Sequence, residues 1–414
     1  FSYTNFDLIQ DDINFVDGFR FGLNNRNLYF NTSYKNRFGN NWKIETGFSF
    51  TNDYSNIKII DDLETDNENS MHFKVKLKKQ FSHRFKISFG SEYFMTDFNE
   101  DYTSTNGLKL KYCFNNNILA SFAETDIFFS KNLATKIGIR AENSELLDEF
   151  TISPRVSLAY KANKNSQFSL AYGQFYQNPK NEYLKFSQDF KAENTSHLIA
   201  NYQKTKQGQI FRIEAYYKNY SDLVKYNNNT PIYTSNFNNN GNGFAKGFDV
   251  FWRQNGKIKN TDYWVSYSYL DTERDYKNYP TAAMPGFASK HNLSVVTKHW
   301  VADWKSQIGF SYNFASGRNY TNPNEVGFLN NKTKNYNSLS VNWAYLIDQQ
   351  KILYFSVNNV LGTQNVFGYN YKNTAEPNGN FDRQAIIPNA DRFFFIGFFW
   401  TISDNKKTNQ LENL

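Results

Sequence analysis

The sequence predicts an all-β protein, a transmembrane antiparallel β-barrel with about 17 strands in this chain. Three observations carry that prediction: side-chain alternation sustained over about ten residues at a time, connections that are short and long in turn, and a wealth of rings in a polar chain. The composition holds 19% aromatic residues (41 Phe, 29 Tyr, 7 Trp) with a mean hydropathy of -0.70. A water-soluble core draws chiefly on Leu, Ile, Val and Ala, so rings in this number must cover some other surface.

Alternation marks strands, in order, at 27–38, 42–55, 71–81, 84–95, 117–129, 132–143, 149–161 and 166–177. They continue at 192–204, 208–220, 243–255, 259–272, 289–300, 303–316, 335–345, 350–360 and 391–402. The pair MHFKVKLKKQFSHRFKISFGSEYF shows the pattern most plainly. Met71, Phe73, Val75, Leu77 and Phe81 fall on one face, and His72, Lys74, Lys76 and Lys78 on the other. The same split recurs after the turn, with Phe85, Ile87, Phe89 and Tyr93 against Arg84, Lys86 and Glu92. In hydrocarbon every backbone polar group must be paired internally, which a closed sheet achieves with apolar groups outside and polar groups within.

The connections agree. Gly39-Asn40-Asn41, Ser82-His83, Ser130-Lys131, 162–165, 205–207, 256–258, Val301-Ala302 and 346–349 are tight. Between them lie longer segments at 56–70, 96–116, 144–148, 178–191, 221–242, 273–288, 317–334 and 361–390. Tight turns therefore share one rim and long loops the other. Proline, which has no N–H for a ladder, falls in the long loops except for Pro154 in TISPRVSLAY. The tryptophans Trp42, Trp252, Trp264, Trp300, Trp304, Trp343 and Trp400 lie within a few residues of a tight turn or of the final strand's end, as an indole that settles at one membrane–water boundary would. Parity puts Trp264 and Trp300 on the polar side, which calls for a bulge or a lumen-facing ring.

Other classes fit less well. No run approaches the roughly 18–20 apolar residues of a transmembrane helix. Cys113 is alone and the 5 histidines are scattered, so neither a disulfide nor a metal-ligand spacing is present. The net charge of +7 alternates along strands without a recognition motif, so no nucleic-acid partner is expected. A soluble antiparallel sandwich is the alternative fold, but its strands average about five or six residues. The chain opens at Phe1 with no start methionine and no signal peptide, which reads as processing or truncation.

Several segments resemble the C-terminal barrel of TonB-dependent outer-membrane receptors, from about residue 117 to 402. ILASFAETDIFFSKNLATKIGIRAE is similar to that family's strand pair ending in Gly-x-Arg-x-Glu, here Gly138, Arg140 and Glu142. ISPRVSLAYKANKNSQFSLAYGQFYQNP resembles its Ser-Pro-Arg strand and following Tyr-Gly strand, and GFAKGFDVFWRQ, VNNVLGTQNVFGYNY and FFFIGFFWTIS match in place and order. The resemblance implies a 22-stranded barrel of a Gram-negative outer membrane. The tight turns would then be periplasmic, the long loops extracellular, and this chain's strands the sixth to the last. An odd strand count is what such a truncation gives. On this reading 1–25 is an extracellular loop remnant, 26–402 the C-terminal part of the barrel, and 403–414, polar and without periodicity, a flexible periplasmic tail. The resemblance further implies a plug domain and a TonB-contacting segment, which on this reading would precede residue 1.

Function follows as expectation: active import of a scarce extracellular ligand, such as a metal chelate, sugar or peptide, with TonB-derived energy. The partners are the TonB complex through the missing plug region, outer-membrane lipids, an unknown small ligand and, compatibly, a surface lipoprotein over the loops. Neither a cofactor nor catalysis is expected. A passive porin-like channel is the rival, and an outer-membrane hydrolase built on His72 with Ser70, or His197 with Ser196, the remoter one.

Parity assigns Glu124, Asp126, Arg140, Glu142, Arg155, Glu193, Arg212, Glu214, Asp249 and Arg253 to the lumen, where a charge escapes the ~2–4 kcal/mol cost of the lipid midplane. Of these Glu124, Arg140, Glu142, Arg155, Asp249 and Arg253 are expected to face a plug, the alternative being a solvated wall of cross-strand ion pairs. Ligand contact is expected from the loops. Arg318, Asn319, Tyr320, Asn322 and Phe328 in GRNYTNPNEVGFLNNKTKNY, and Phe367, Tyr369 and Tyr371 (with Arg383) in 361–390, offer rings, amides and guanidinium groups. The acidic run Asp61, Asp62, Glu64, Asp66 and Glu68 offers oxygens to a divalent cation, but it lacks a Gly-turned calcium-loop spacing and reads first as a solvated tip.

Overall fold

A two-residue period is satisfied by pairing each strand with its chain neighbour, and the computed structural model, which describes residues 1–402, does this throughout. The strands are β1 (Ser2–Asp12), β2 (Phe15–Phe38), β3 (Trp42–Ile59), β4 (Asp62–Gln80), β5 (Phe85–Thr103), β6 (Lys109–Phe128), β7 (Leu133–Ser144), β8 (Glu149–Asn163) and β9 (Ser166–Gln177). They continue as β10 (Glu193–Lys206), β11 (Gln209–Tyr226), β12 (Phe237–Asn255), β13 (Thr261–Asp275), β14 (His291–Val301), β15 (Ser306–Ala315), β16 (Asn319–Tyr320), β17 (Asn331–Lys332), β18 (Tyr336–Leu346), β19 (Lys351–Asn358), β20 (Gly368–Tyr371), β21 (Arg383–Ile386) and β22 (Phe393–Trp400). Eighteen form one sheet. Apart from the loop hairpins β16–β17 and β20–β21, each strand pairs antiparallel with the next. One short helix, α1 (Asn181–Leu184), and a 3-10 turn at Ala302–Trp304 interrupt the otherwise helix-free reading.

Register fixes the two faces. Lys74 faces Glu92 across β4–β5, and Lys76 meets Glu124 two strands away, so the even-numbered side chains of β4 to β6 share the polar face. Met71, Phe73, Val75 and Leu77 take the other. From Met71 to Phe81 is ten steps, about 33 Å of strand, which at a ~40° tilt spans about 25 Å, the height of an outer-membrane apolar band. The band stops at one level: on the outward face Asn52 pairs with Asn69, Asn69 with Asp97, and Asp97 with Asn115. The Asn52 Nδ2–H donates to Asn69 Oδ1 at 2.8 Å. These polar groups form a collar where the hydrocarbon ends.

Beyond the collar the expectations need correction. Segments 56–70 and 96–116 were expected as loops and are strand, leaving short tips near residue 60 and at 104–108. There Asn, Asp, Thr and Lys crowd the outward face, and the rings that remain, Phe98, Tyr112 and Phe114 among them, point inward, so the lipid-facing alternation is lost in strands that stand clear of the hydrocarbon. Residues 2–12 and 15–25, expected as a loop remnant, form an antiparallel hairpin. The sheet therefore has 18 strands, and the odd count falls. The tail expected at 403–414 lies outside the described residues.

Other local expectations fare better. Trp264 and Trp300 face inward without a bulge, since β13–β14 pair in unbroken register. The Trp264 ring becomes a cation platform: the Arg253 guanidinium lies 5.9 Å and the Lys298 ammonium 5.5 Å from its centre. Pro154 pairs with Ile139 on one side, while on the other the β8–β9 ladder begins only at Arg155, as a residue without an N–H requires. The tight turn Gln207-Gly208 has positive φ at both residues (46° and 78°), the left-handed pair that suits hairpin twist.

The sheet's outer edges are not paired with each other. β1 covers β2 only from Phe15 to Asn27, and β22 pairs on one side with β19. At the long-loop rim the β20–β21 hairpin bridges the gap: Asn14 Nδ2–H donates to the Tyr371 carbonyl (3.0 Å), Asn370 Nδ2–H to Asp12 (3.0 Å), and the Asn373 amide to Asn14 Oδ1 (2.8 Å).

The buried apolar cluster sits at the same rim. Residues 178–192 fold inward over Phe98 and Phe114, and Tyr183, Leu184 and Phe190 pack there with Val224 and Tyr226. The signal was the YLKF run, apolar groups in an otherwise polar loop. We refer to this segment as the shelf.

Candidate functional site

The lumen wall from β4 to β7 is a ladder of alternating charge. Glu92, 7% exposed, accepts from the Lys74 ammonium at 2.5 Å and from Arg140 Nη1–H at 2.6 Å, and Arg140 also reaches Glu142 at 2.7 Å. One level toward the tight turns, Lys76 and Lys136 flank Glu124 at 3.8 and 4.0 Å, and Lys78 and Lys136 flank Asp126 at 3.6 and 3.4 Å. Gly90 makes room for this. A Cβ there would lie 2.2 Å from the Val75 carbonyl and 2.9 Å from the Phe122 ring, which is held between the ammoniums of Lys74 and Lys76, each 5.7 Å away.

Glu124, Arg140 and Glu142 are thus engaged sideways, as the ion-paired wall would have them. Arg253 pairs with Asp262 at 2.6 Å near the tight-turn rim. Arg155 lies over Phe175 at 4.6 Å, with no ion pair among the described residues, and the same holds of Asp249 for ion pairs. Glu193 accepts the Val224 amide (3.1 Å), Glu214 accepts from Asn201 (3.2 Å), and Arg212 lies 6.0 Å from the Phe251 ring.

The hydrolase dyads do not assemble. The Ser70 hydroxyl donates to Glu68 at 2.9 Å, while His72 stacks flat on Phe94 at 4.1 Å. Ser196 and His197 are adjacent in a strand and so point to opposite faces, with His197 against Phe175.

The acidic run divides. Asp61 pairs with Lys58 (3.6 Å), and Glu68 accepts from Asn181 of the shelf (3.0 Å). Asp62 accepts the Tyr102 hydroxyl at 2.6 Å and the Thr105 amide at 3.0 Å, bonds that hold its carboxyl down to about 2, the Tyr102 bond most. Glu64 and Asp66 join Glu100 of β5, the three presenting oxygens within 4.8 Å of one another. The Lys185 ammonium of the shelf sits on both Glu100 oxygens at 2.6 Å. One cation among three carboxylates leaves an excess of negative charge. Burial, then Glu64 and Glu100, pushes the Asp66 carboxyl up to about 7.

Loops 316–335 and 359–392 form a second constellation at this rim. β16–β17 pairs Tyr320 with Asn331, and Tyr320 packs on Tyr369 of β20 at 4.9 Å, with the Arg383 guanidinium 4.7 Å from the Tyr369 ring. Tyr371 lies on the same hairpin, its carbonyl held by Asn14. Phe328 packs on Tyr279 at 4.7 Å. Asn322 is 7% exposed, its amide donating to Glu325 (2.9 Å) and its backbone gripped by Asn330 (2.7 Å). It therefore builds the loop, and Asn319 similarly reaches the Met284 carbonyl (3.4 Å). Arg318 and Phe367 instead line a cavity of about 430 Å³ that opens to the lumen between β13, β14, β15 and β18. Its other cation and ring, Lys334 and Tyr336, belong to the same 317–336 segment, but the sequence does not single them out, because only the loop's fold back on itself, Thr333 against Arg318, brings them to the cavity.

A family model described as "TonB dependent receptor-like, beta-barrel" matches residues 1–360. No curated protein matches the chain at a significant level. Among solved structures, the chain resembles the outer membrane transporter YddB from Escherichia coli (TM-score 0.64, 13% identity, 92% of this chain and 66% of that one). It also resembles the ferric yersiniabactin uptake receptor FyuA from Yersinia pestis (0.70, 10%, 92% and 61%) and the siderophore receptor PiuA from Acinetobacter baumannii (0.70, 9%, 92% and 65%). At such identity the likeness is one of fold, and the chain spans under two thirds of the length of each. A wall greasy outside, charged within and pinned by a polar collar now has its place: the chain belongs to the β-barrel family of TonB-dependent receptors, proteins of the Gram-negative outer membrane.

Proposed function

We propose that this barrel is the wall of a receptor that captures a scarce extracellular ligand at its long-loop rim and imports it with TonB-derived energy. The observation that carries the reading is that loops 316–335 and 359–392 are not free coils. They are folded through β16–β17, β20–β21 and paired asparagine contacts, such as Asn324 with Phe381 (2.9 and 2.7 Å), into a ring-rich surface over the lumen. A pre-formed concave surface lowers the ordering cost of binding.

In this reading the tight turns are periplasmic, and a plug preceding the barrel docks in the lumen. Arg155 and Asp249 keep polar atoms to offer it, whereas Glu124, Arg140 and Glu142 mainly stiffen the wall. The TonB complex acts through that plug region, a surface lipoprotein over the loops is compatible, and no cofactor is invoked.

The test is uptake by intact cells of the source organism with the gene deleted and restored, with and without an active TonB complex. Loss of uptake in both the deletion and the de-energised strain supports the reading. Uptake that survives de-energisation, together with a large steady conductance of the complete gene product in planar bilayers, replaces it with a passive porin.

A further inference from the structure

The cavity beside Arg318 has a chemistry of its own. Its floor is built from Ser266, Ser268, Ser294 and Asn313, all inward-facing by register. None of their side chains has a hydrogen-bond partner among the described residues. At its mouth stand two exposed cations, Arg318 and Lys334, neither in an ion pair among the described residues. No Asp or Glu lines it. Nearly every other lumen cation described above has a carboxylate or a ring within reach, so a bare pair is a local departure.

The backbone that carries the two cations is pinned, while their side chains stand free. The Thr333 amide donates to the Arg318 carbonyl (2.9 Å) and the Arg318 amide to Thr333 Oγ1 (3.0 Å). Gly317 lets the strands close, since a Cβ there would lie 2.0 Å from the Thr333 carbonyl. Two rings, Tyr336 and Phe367, stand 6.2 Å apart at one side, and Phe367 is 49% exposed.

Each feature excludes a ligand class. An apolar guest would strip water from the hydroxyls and amide without replacing those bonds. A bare metal ion meets two positive charges and no anionic ligand. A neutral sugar satisfies the floor and the rings but leaves the cations unused. A hydroxylated ring carrying a carboxylate satisfies all three, with hydroxyls on the floor, its C–H face on the rings, and charge-assisted bonds to Arg318 and Lys334. The volume, about 430 Å³, lies within the usual range for small-ligand sites. Resting on the receptor reading above, we propose that this cavity is the binding site of an acidic saccharide, a short chain of sugar rings bearing carboxylates.

The test is calorimetric titration of the complete gene product in detergent with trigalacturonate, neutral maltotriose and ferric citrate. Trigalacturonate binds at least about tenfold tighter than maltotriose, the preference weakens with salt, and R318Q/K334Q erases it. Both positions are exposed, so the variant folds, as retained heat-modifiability on gels will confirm. Equal binding of the two saccharides, undiminished binding of trigalacturonate by the variant, or no binding of trigalacturonate overturns the proposal. So does ferric citrate binding more tightly than trigalacturonate. Any of these leaves the receptor reading intact if energised uptake by cells is retained, whereas loss of that uptake requirement fails the receptor reading itself.

Discussion

Replacing Arg140 by Met tests whether the lumen ladder stiffens the wall. In the native protein Glu92 is 7% exposed and holds two cations, Lys74 at 2.5 Å and Arg140 at 2.6 Å. Abandoning a buried charge altogether costs about 3–5 kcal/mol. Here Lys74 stays on Glu92, so the loss is one charge-assisted bond of about 1.5–3 kcal/mol. Glu142, with 21% of its side chain exposed, regains water and adds little. We expect R140M to lower unfolding stability by about 2–3 kcal/mol, read from guanidinium unfolding of the complete gene product in liposomes by tryptophan fluorescence. E92Q alone costs less, because Arg140 keeps Glu142. The double variant falls short of the sum by about 1 kcal/mol or more, as partners in one network do. R140M within about 0.5 kcal/mol of the native protein, or a strictly additive double variant, would refute the ladder as a source of stability.

The remaining predictions concern the long-loop rim. Leu184 in the shelf is 1% exposed, so L184A costs about 2–5 kcal/mol locally and opens 178–192 to limited proteolysis without loss of the barrel; an uncut shelf counts against the packing described. Asp66 is raised from an ordinary 3.8 to about 7, so ionisation is penalised only in the folded state. That penalty grows as pH rises from 3.8 to 7 and is complete above. Once the intrinsic pH dependence of amide exchange is divided out, acidifying from pH 8 to 6 should raise the protection of the shelf by up to about tenfold, and D66N should make protection high at both. Asp62 is lowered from 3.8 to about 2, so its stabilisation is complete above 3.8 and is lost as pH falls through 2. D62N should speed exchange at tip 104–108 at neutral pH, and unchanged exchange would mean that the Tyr102 and Thr105 bonds do not hold the tip.

What was legible in the sequence follows from where the environment imposes a period. Hydrocarbon demands apolar groups at every second position, so Met71 to Phe81, their neighbours and the inward parity of Glu124, Arg140 and Arg253 could be read directly. Above the collar the outward face meets water and the constraint lapses. Hence 56–70 and 96–116 passed for loops and 2–12 for a remnant. The site was half legible: Arg318 and Phe367 were named for their chemistry, but Lys334 and the serines of β13 and β14 meet them only through pairing across strands. Asn322 shows the converse, an amide suited to a ligand and consumed by Glu325. Glu100 joins Glu64 and Asp66 from a different strand, which no run of acids in the chain announces.

The collar sets how the barrel sits vertically in its bilayer. Asn52, Asn69, Asp97 and Asn115 belong to four successive strands at one level, so sinking by a single step would draw all of them into lipid together. Each desolvation adds to the next, and an energy that is modest for one side chain becomes a steep wall for the assembly. A thinner or thicker membrane must therefore deform to meet the protein, and the height of the mouth above the cell surface becomes a fixed dimension of the molecule.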